Sequence, residues 1–305
     1  MTLIGTTASS TSMPELGSAP QRLKRFRVAL AVGLSLVLTV TGVSVAEAVL
    51  HMRESFQYNS GLSVKDRGTS GSGWAGAWSG DSQPTITSPG LTYTSGGDEL
   101  IVAGNKASSG SGGSMKKVER TISNTNLDNN GTSLWMSFLI TGATGSAQTN
   151  VNLSEKFFVG QGNKTSGAST WTLSDDGQSG FDFNSGVTAS GMTAYLVTLI
   201  EFASGNETAW LWINPSLSAT PSKSSAANGL SGTVIASFEF DKIFMYFSGN
   251  NSGAIDELRF GSTFADVSPV PEPSALVFGT LVCGVFALAI AKRRLASKLA
   301  ARDAV

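Results

Sequence analysis

Residues 195–214 read YLVTLIEFASGNETAWLWIN, and this stretch decides the fold. A strand side chain alternates between two faces, so Leu196, Thr198, Ile200 and Phe202 share one face. Tyr195, Val197, Leu199 and Glu201 share the other. Ser204-Gly205-Asn206 supplies the turn, because glycine tolerates positive φ. On the return, Trp210 and Trp212 lie on one face, and Ala209, Leu211 and Ile213 on the other. Asn214-Pro215 ends the strand, since proline has no N–H for a ladder. The expected element is a β-hairpin with both faces largely apolar.

The same rhythm extends outward. Short runs of β-branched and aromatic residues at 133–141, 155–160, 169–174, 194–203, 208–214, 233–240, 243–247 and 256–260 are separated by Gly, Ser, Thr and Asn. Helix signals are nearly absent between 49 and 268, so the chain reads as an all-β sandwich or barrel. The glycine- and serine-rich stretches 68–80 and 108–114 read as mobile surface loops. Ile255 does not alternate with Leu258 and Phe260, which predicts a bulge between them. Arg259, Asp256 and Glu257 there read as an ion pair or a solvated face. One domain, 49–268, accounts for the pattern.

Several short motifs carry a resemblance. Glu54-Ser55-Phe56-Gln57-Tyr58, then Gly73-Trp74-Ala75-Gly76-Ala77-Trp78, resemble the opening of exported bacterial LamG or concanavalin-like jelly rolls. Residues 195–201, 211–215 and 255–261 resemble that family's later strands. The resemblance implies a two-sheet antiparallel jelly-roll sandwich of the kind that binds glycans or serves as a surface module, in which calcium is a frequent structural ion.

The two ends bracket this domain. Arg22, Lys24, Arg25 and Arg27 precede an apolar stretch from 28 to 45, and Ala46-Glu47-Ala48 offers a small-x-small cleavage pattern. Residues 1–48 therefore read as an N-terminal extension and signal peptide passing through the Sec translocon; an uncleaved anchor is the alternative. At the other end Pro271-Glu272-Pro273 leads into an apolar run, 275–291, closed by Lys292-Arg293-Arg294. At about 1.5 Å per helical residue the run crosses most of a ~30 Å hydrocarbon layer, and the basic cluster stays on the cytoplasmic side. The tail 269–305 resembles the PEP-CTERM sorting signal of bacterial exported proteins. This implies processing by an exosortase-like membrane protease, transient membrane contact through 274–291, and delivery from a Gram-negative-type bacterium to its surface or extracellular matrix. An ordinary C-terminal anchor is the alternative.

Composition narrows the function. Of 21 Lys and Arg, four lie in the signal and five after residue 291, leaving 12; of 22 Asp and Glu, Glu15, Glu47, Glu272 and Asp303 lie in the ends, leaving 18. The exported part thus carries about −6, which argues against nucleic acid as a partner. Cys283, the single cysteine, lies within the C-terminal apolar run, so the domain has no disulfide and depends on core burial.

No catalytic constellation emerges. His51 is the single histidine and lies near the expected mature N-terminus, where chains are commonly disordered, so triad chemistry has no base. Glu239-Phe240-Asp241 would place two acids on one strand face, but Ile243 stands where retaining glycosidases of this fold carry a further acid. Asp175, Asp176 and Asp182 are hard oxygen donors at loop-like positions and are the candidate calcium ligands; turn formation by Asp-Asp-Gly is the alternative. Trp210 and Trp212 are the candidate glycan contacts, core burial being the alternative. The expectation is a non-enzymatic structural or adhesive surface protein, with carbohydrate binding to exopolysaccharide as the alternative and glycoside hydrolysis a third choice.

Overall fold

The computed structural model describes residues 49–270 apart from 69, 111–113, 125, 146, 163–168, 176–181, 228–230, 240 and 249–252. The signal pattern with Ala46 and Ala48, the motif Pro271-Glu272-Pro273, the apolar run 274–291 and the cluster Lys292-Arg293-Arg294 lie outside the described residues. Among those described, no helix is long and apolar enough to cross a membrane.

The strands run in chain order as β1 (Leu50–Glu54), β2 (Ser79–Gly80), β3 (Thr85–Thr87), β4 (Thr94–Ser95), β5 (Asp98–Glu99), β6 (Lys106–Ser108), β7 (Lys116–Thr121) and β8 (Ser133–Thr141). They continue as β9 (Thr149–Leu153), β10 (Phe157–Gln161), β11 (Thr170–Asp175), β12 (Asp182–Thr188), β13 (Thr193–Glu201), β14 (Glu207–Ile213), β15 (Thr233–Ile235), β16 (Lys242–Phe247) and β17 (Ala254–Gly261). One short helix, α1 (Phe264–Val267), follows and is opened by a capping box between Thr263 and Asp266.

All pairings are antiparallel. An eight-stranded sheet has the order β15-β14-β13-β8-β17-β6-β3, with β1 also on β17, and a seven-stranded sheet has the order β12-β11-β10-β9-β16-β7-β2. The two form a sandwich, as the sequence pattern leads one to expect. Val118, Val151, Val159, Trp171, Met245 and Phe247 of the seven-stranded sheet meet Met136, Phe138, Leu196, Leu211, Ile255 and Phe260 of the other. Edge strands are short or, at β12, bulged where its register with β11 shifts between Thr170 and Thr172, which blunts pairing with other chains.

The deciding hairpin is β13–β14. Leu196 pairs with Ile213, Val197 with Trp212 and Leu199 with Trp210. Leu196, Ile200, Ala209 and Leu211 face the core between the sheets, while Tyr195, Val197, Leu199, Trp210 and Trp212 form a second cluster on the far side. That second face is roofed by chain: Leu100, Leu217, Phe264 and Val267 pack on it. Tyr195 and Ser137 both donate to Val267 O, at 2.8 and 2.7 Å, tying the segment after β17 across the sheet.

Several expectations are corrected. The described part of the stretch 68–80 lies largely at the surface, as expected, but it is anchored to the sandwich: Trp78 is buried in the core, and Ser72 and Trp74 bridge to Arg53 and Ile122. Gly71 and Gly73 have φ of 78° and 83° and lie so close to the β1 carbonyls that a side chain would not fit. His51 is not in a disordered terminus; it sits on β1, its Nε2 2.9 Å from Ser262 Oγ. The strand expected at 233–240 stops at Ile235, because Phe238 turns inward to stack on Phe157 at 5.8 Å.

Candidate functional site

The solvent side of the seven-stranded sheet is built around β16, KIFMYF. Ile243, Met245 and Phe247 enter the core, so Lys242, Phe244 and Tyr246 must face outward. Pairing then fixes their neighbours. Phe244 stands between Asn152 of β9 and Glu119 of β7, and Tyr246 between Asn150 and Lys117. Phe158 of β10 lies beyond Asn152. Three rings therefore form a strip: Phe158 and Tyr246 are 6.2 Å apart, and Phe244 and Tyr246 are 6.3 Å apart. Phe158 and Tyr246 remain partly exposed.

The charges along the strip pair with one another. Glu155 Oε1 accepts from Tyr246 OH at 2.7 Å and from Lys117 Nζ at 2.8 Å. Lys242 donates to Glu119 at 3.3 Å, and Lys117 Nζ lies 4.8 Å from the Phe244 ring centre. Burial first, and next the Glu155 carboxylate, push the Tyr246 hydroxyl above its ordinary range, so it stays a donor. Beneath the rings, Asn150 Oδ1 and Asn152 Nδ2 are buried without a hydrogen-bond partner among the described residues. Asn152 Oδ1 accepts Glu155 N–H at 2.5 Å. Unmet buried amide groups are costly, and at 2% and 0% exposure these two side chains lie beneath the surface rather than on it.

The expected site residues fare differently. Trp210 and Trp212 share a face, as the alternation requires, but they are 8% and 3% exposed and do not form an open platform. Trp212 stacks on Trp135 at 5.5 Å and donates to Ser222 O at 3.0 Å; Lys223 Nζ lies 4.1 Å from the Trp210 ring centre. The loop after β14 covers them, because two indoles on one face bury more apolar area than solvent exposure could balance. Trp212 does form one wall of a side cleft of about 520 Å³ with Val187, Asn214, Pro215 and Pro221, and no charged residue lines it. Asp175 ends β11 in a buried position, Asp182 opens β12, and Asp176 lies outside the described residues. Among the described residues no group of three His, Cys, Asp or Glu is placed to hold a metal ion.

Glu239 and Asp241 are both exposed and off the strands, so they do not share a strand face. The predicted bulge in β17 is present: pairing with β8 shifts between Asp256 and Arg259, with Glu257 at φ 48°. The group is buried rather than solvated. Arg259 pairs with Glu257 at 2.7 Å, and the carboxylates of Asp256 and Glu257 hold the two ends of the β4–β5 segment by accepting from Leu91 N–H and Ala103 N–H, at 2.7 and 2.5 Å.

Sequence reasoning missed the Phe158–Tyr246–Phe244 strip. Its one readable signal was the clean alternation of KIFMYF, since Phe158 is 88 positions from Tyr246 in the chain.

No protein-family model matches the sequence, and no curated protein matches it. Distant structural likenesses are found. The T. cruzi calreticulin globular domain aligns at TM-score 0.41 with 9% identity, over 72% of this chain and 90% of that one. Domain 4 of AbnA, a GH43 extracellular arabinanase from Geobacillus stearothermophilus solved with arabinotriose, gives 0.38 and 16%, over 75% and 96%. An endo-1,3-beta-glucanase from Streptomyces sioyaensis gives 0.35 and 12%, over 71% and 96%.

Proposed function

We propose that this chain is an exported, non-catalytic protein of the bacterial surface or extracellular matrix, whose sandwich adheres to extracellular polysaccharide on the outer face of the seven-stranded sheet. The supporting observation is the strip of Phe158, Tyr246 and Phe244, whose first two rings are partly exposed over a buried Phe244 and are bordered by charged side chains. Sugar rings present apolar C–H faces and hydroxyl edges, so rings flanked by polar groups suit them. On the other sheet Trp210 and Trp212 are largely covered, and only the side cleft beside Trp212 remains open. A concanavalin- or LamG-like jelly-roll connectivity belongs to the proposal, supported by the alternation of β15, β16 and β17 between the two sheets. Delivery by the signal, then exosortase-like processing near Pro271-Glu272-Pro273, completes it, and its support is the order of motifs in the sequence.

Affinity electrophoresis of the exported protein in gels containing a neutral glucan tests the adhesive role. Retardation that vanishes in Phe158→Ser/Tyr246→Ser, with the circular dichroism spectrum kept, is the expected result. Equal mobility of the parent protein with and without any polysaccharide would end the proposal.

A further inference from the structure

Ser154 and Glu155 join β9 to β10, and both adopt the left-handed backbone conformation, with φ of 48° and 63°. A Cβ in that region crowds the following carbonyl, which is why Gly or Asn is usual there. Neither residue is of that kind, so the turn holds backbone strain that its sequence does not relieve. Ser154 has a local reason for its place. Its Oγ accepts Asp241 N–H at 3.1 Å and its own N–H donates to Lys242 O at 3.0 Å, joining the turn to the start of β16.

Glu155 is different. Its N–H bond to Asn152 would be open to any residue type, so the turn does not require a carboxylate. The side chain instead reaches over the strip, where it holds Tyr246 OH and Lys117 Nζ while remaining 50% exposed. Lys117 is itself 39% exposed, and ion pairs so open to water add little stability. Stability therefore does not explain a charged side chain at a strained position. Two consequences for the face do. The carboxylate fixes the Tyr246 ring through its hydroxyl, and it balances Lys117. Without it, the Lys117 ammonium would keep only the longer Glu119 contact, at 4.0 Å, and the strip would become one charge more positive.

We infer that Glu155 is a positioning and specificity-determining residue of this face, orienting Tyr246 and setting the strip for neutral rather than acidic polysaccharide. The inference rests on the glycan role proposed for the face.

The test compares exported parent, Glu155→Gly and Glu155→Gln in gels containing a neutral glucan or alginate, together with their melting temperatures. Glu155→Gly should melt no lower than the parent, because glycine relieves the turn. Its affinity for the neutral glucan should fall about tenfold, the size of one charge-assisted hydrogen bond, and retention by alginate should rise, most at low salt. Glu155→Gln keeps an acceptor for Tyr246 and loses the charge, so it should hold the neutral glucan and share the gain on alginate. If the parent binds the neutral glucan and Glu155→Gly matches it on both polymers, the inference is overturned and the glycan face stands. A lower melting temperature with unchanged selectivity overturns it too, in favour of a purely structural role. A parent indifferent to every polysaccharide removes the glycan face and the inference together.

Discussion

Arg120 and Glu54 form an ion pair inside the sandwich, with side chains 2% and 0% exposed. Glu54 also accepts from Tyr58 OH at 3.1 Å and Trp78 Nε1 at 3.0 Å, and Arg120 donates to the carbonyls of Gly68, Ser70 and Gly76. The pair thus organises the glycine-rich connection between β1 and β2. Burial pulls the Arg120 guanidinium below its usual range, and Glu54 opposes that pull. Removing one partner strands the other charge. Arg120→Met should lose about 3–5 kcal/mol in urea unfolding, and adding Glu54→Gln should restore part of it.

Asp256 makes stability depend on pH. Its burial in β17 raises the carboxyl from 3.8 to about 8, against the lowering effect of the Leu91 and Glu257 amides; Glu257 adds to the rise and Lys106 opposes it. Between those values the folded state holds a proton that the unfolded state releases, so stability should fall as pH rises from about 4 to about 8 and level off beyond. Asp256→Asn keeps an acceptor for Leu91 N–H and should flatten that slope in denaturant titrations at several pH values.

Trp212 belongs to the roofed cluster with Trp135 and Phe264 rather than to an open face. Trp212→Ala should cost about 3–5 kcal/mol in thermal or denaturant unfolding. In the fraction that folds, retention by polysaccharide should equal the parent's. Selective loss of binding at full stability would place the glycan on the indole face instead.

The sorting proposal has its own handle. Deleting residues 269–305, or changing Glu272 to Ala, should keep the protein from the cell surface, as read by fractionation and the mature C-terminus. Unchanged surface delivery would remove the exosortase step.

Alternation made much of the sandwich legible. Ser133–Thr141 appears at its expected bounds, and the β13–β14 hairpin presents the faces assigned from period two. The strands that escaped notice break that pattern. In β7 the inward position after Val118 is Arg120, whose partner Glu54 lies 66 residues earlier, and β9 is the polar run TNVNL. Which apolar face would be roofed depended on segments far along the chain, such as Phe264 and Leu100. The strip was illegible for the same reason: register, not local sequence, brings Phe158 beside Tyr246.

Chemical-shift mapping of the exported protein with a neutral glucan oligosaccharide tests the central claim most directly. The account predicts perturbations concentrated on Lys117, Phe158, Glu155 and Tyr246, with the Trp210 and Trp212 indole signals unmoved. Shifts centred on those indoles, or none at saturating glucan, would contradict it.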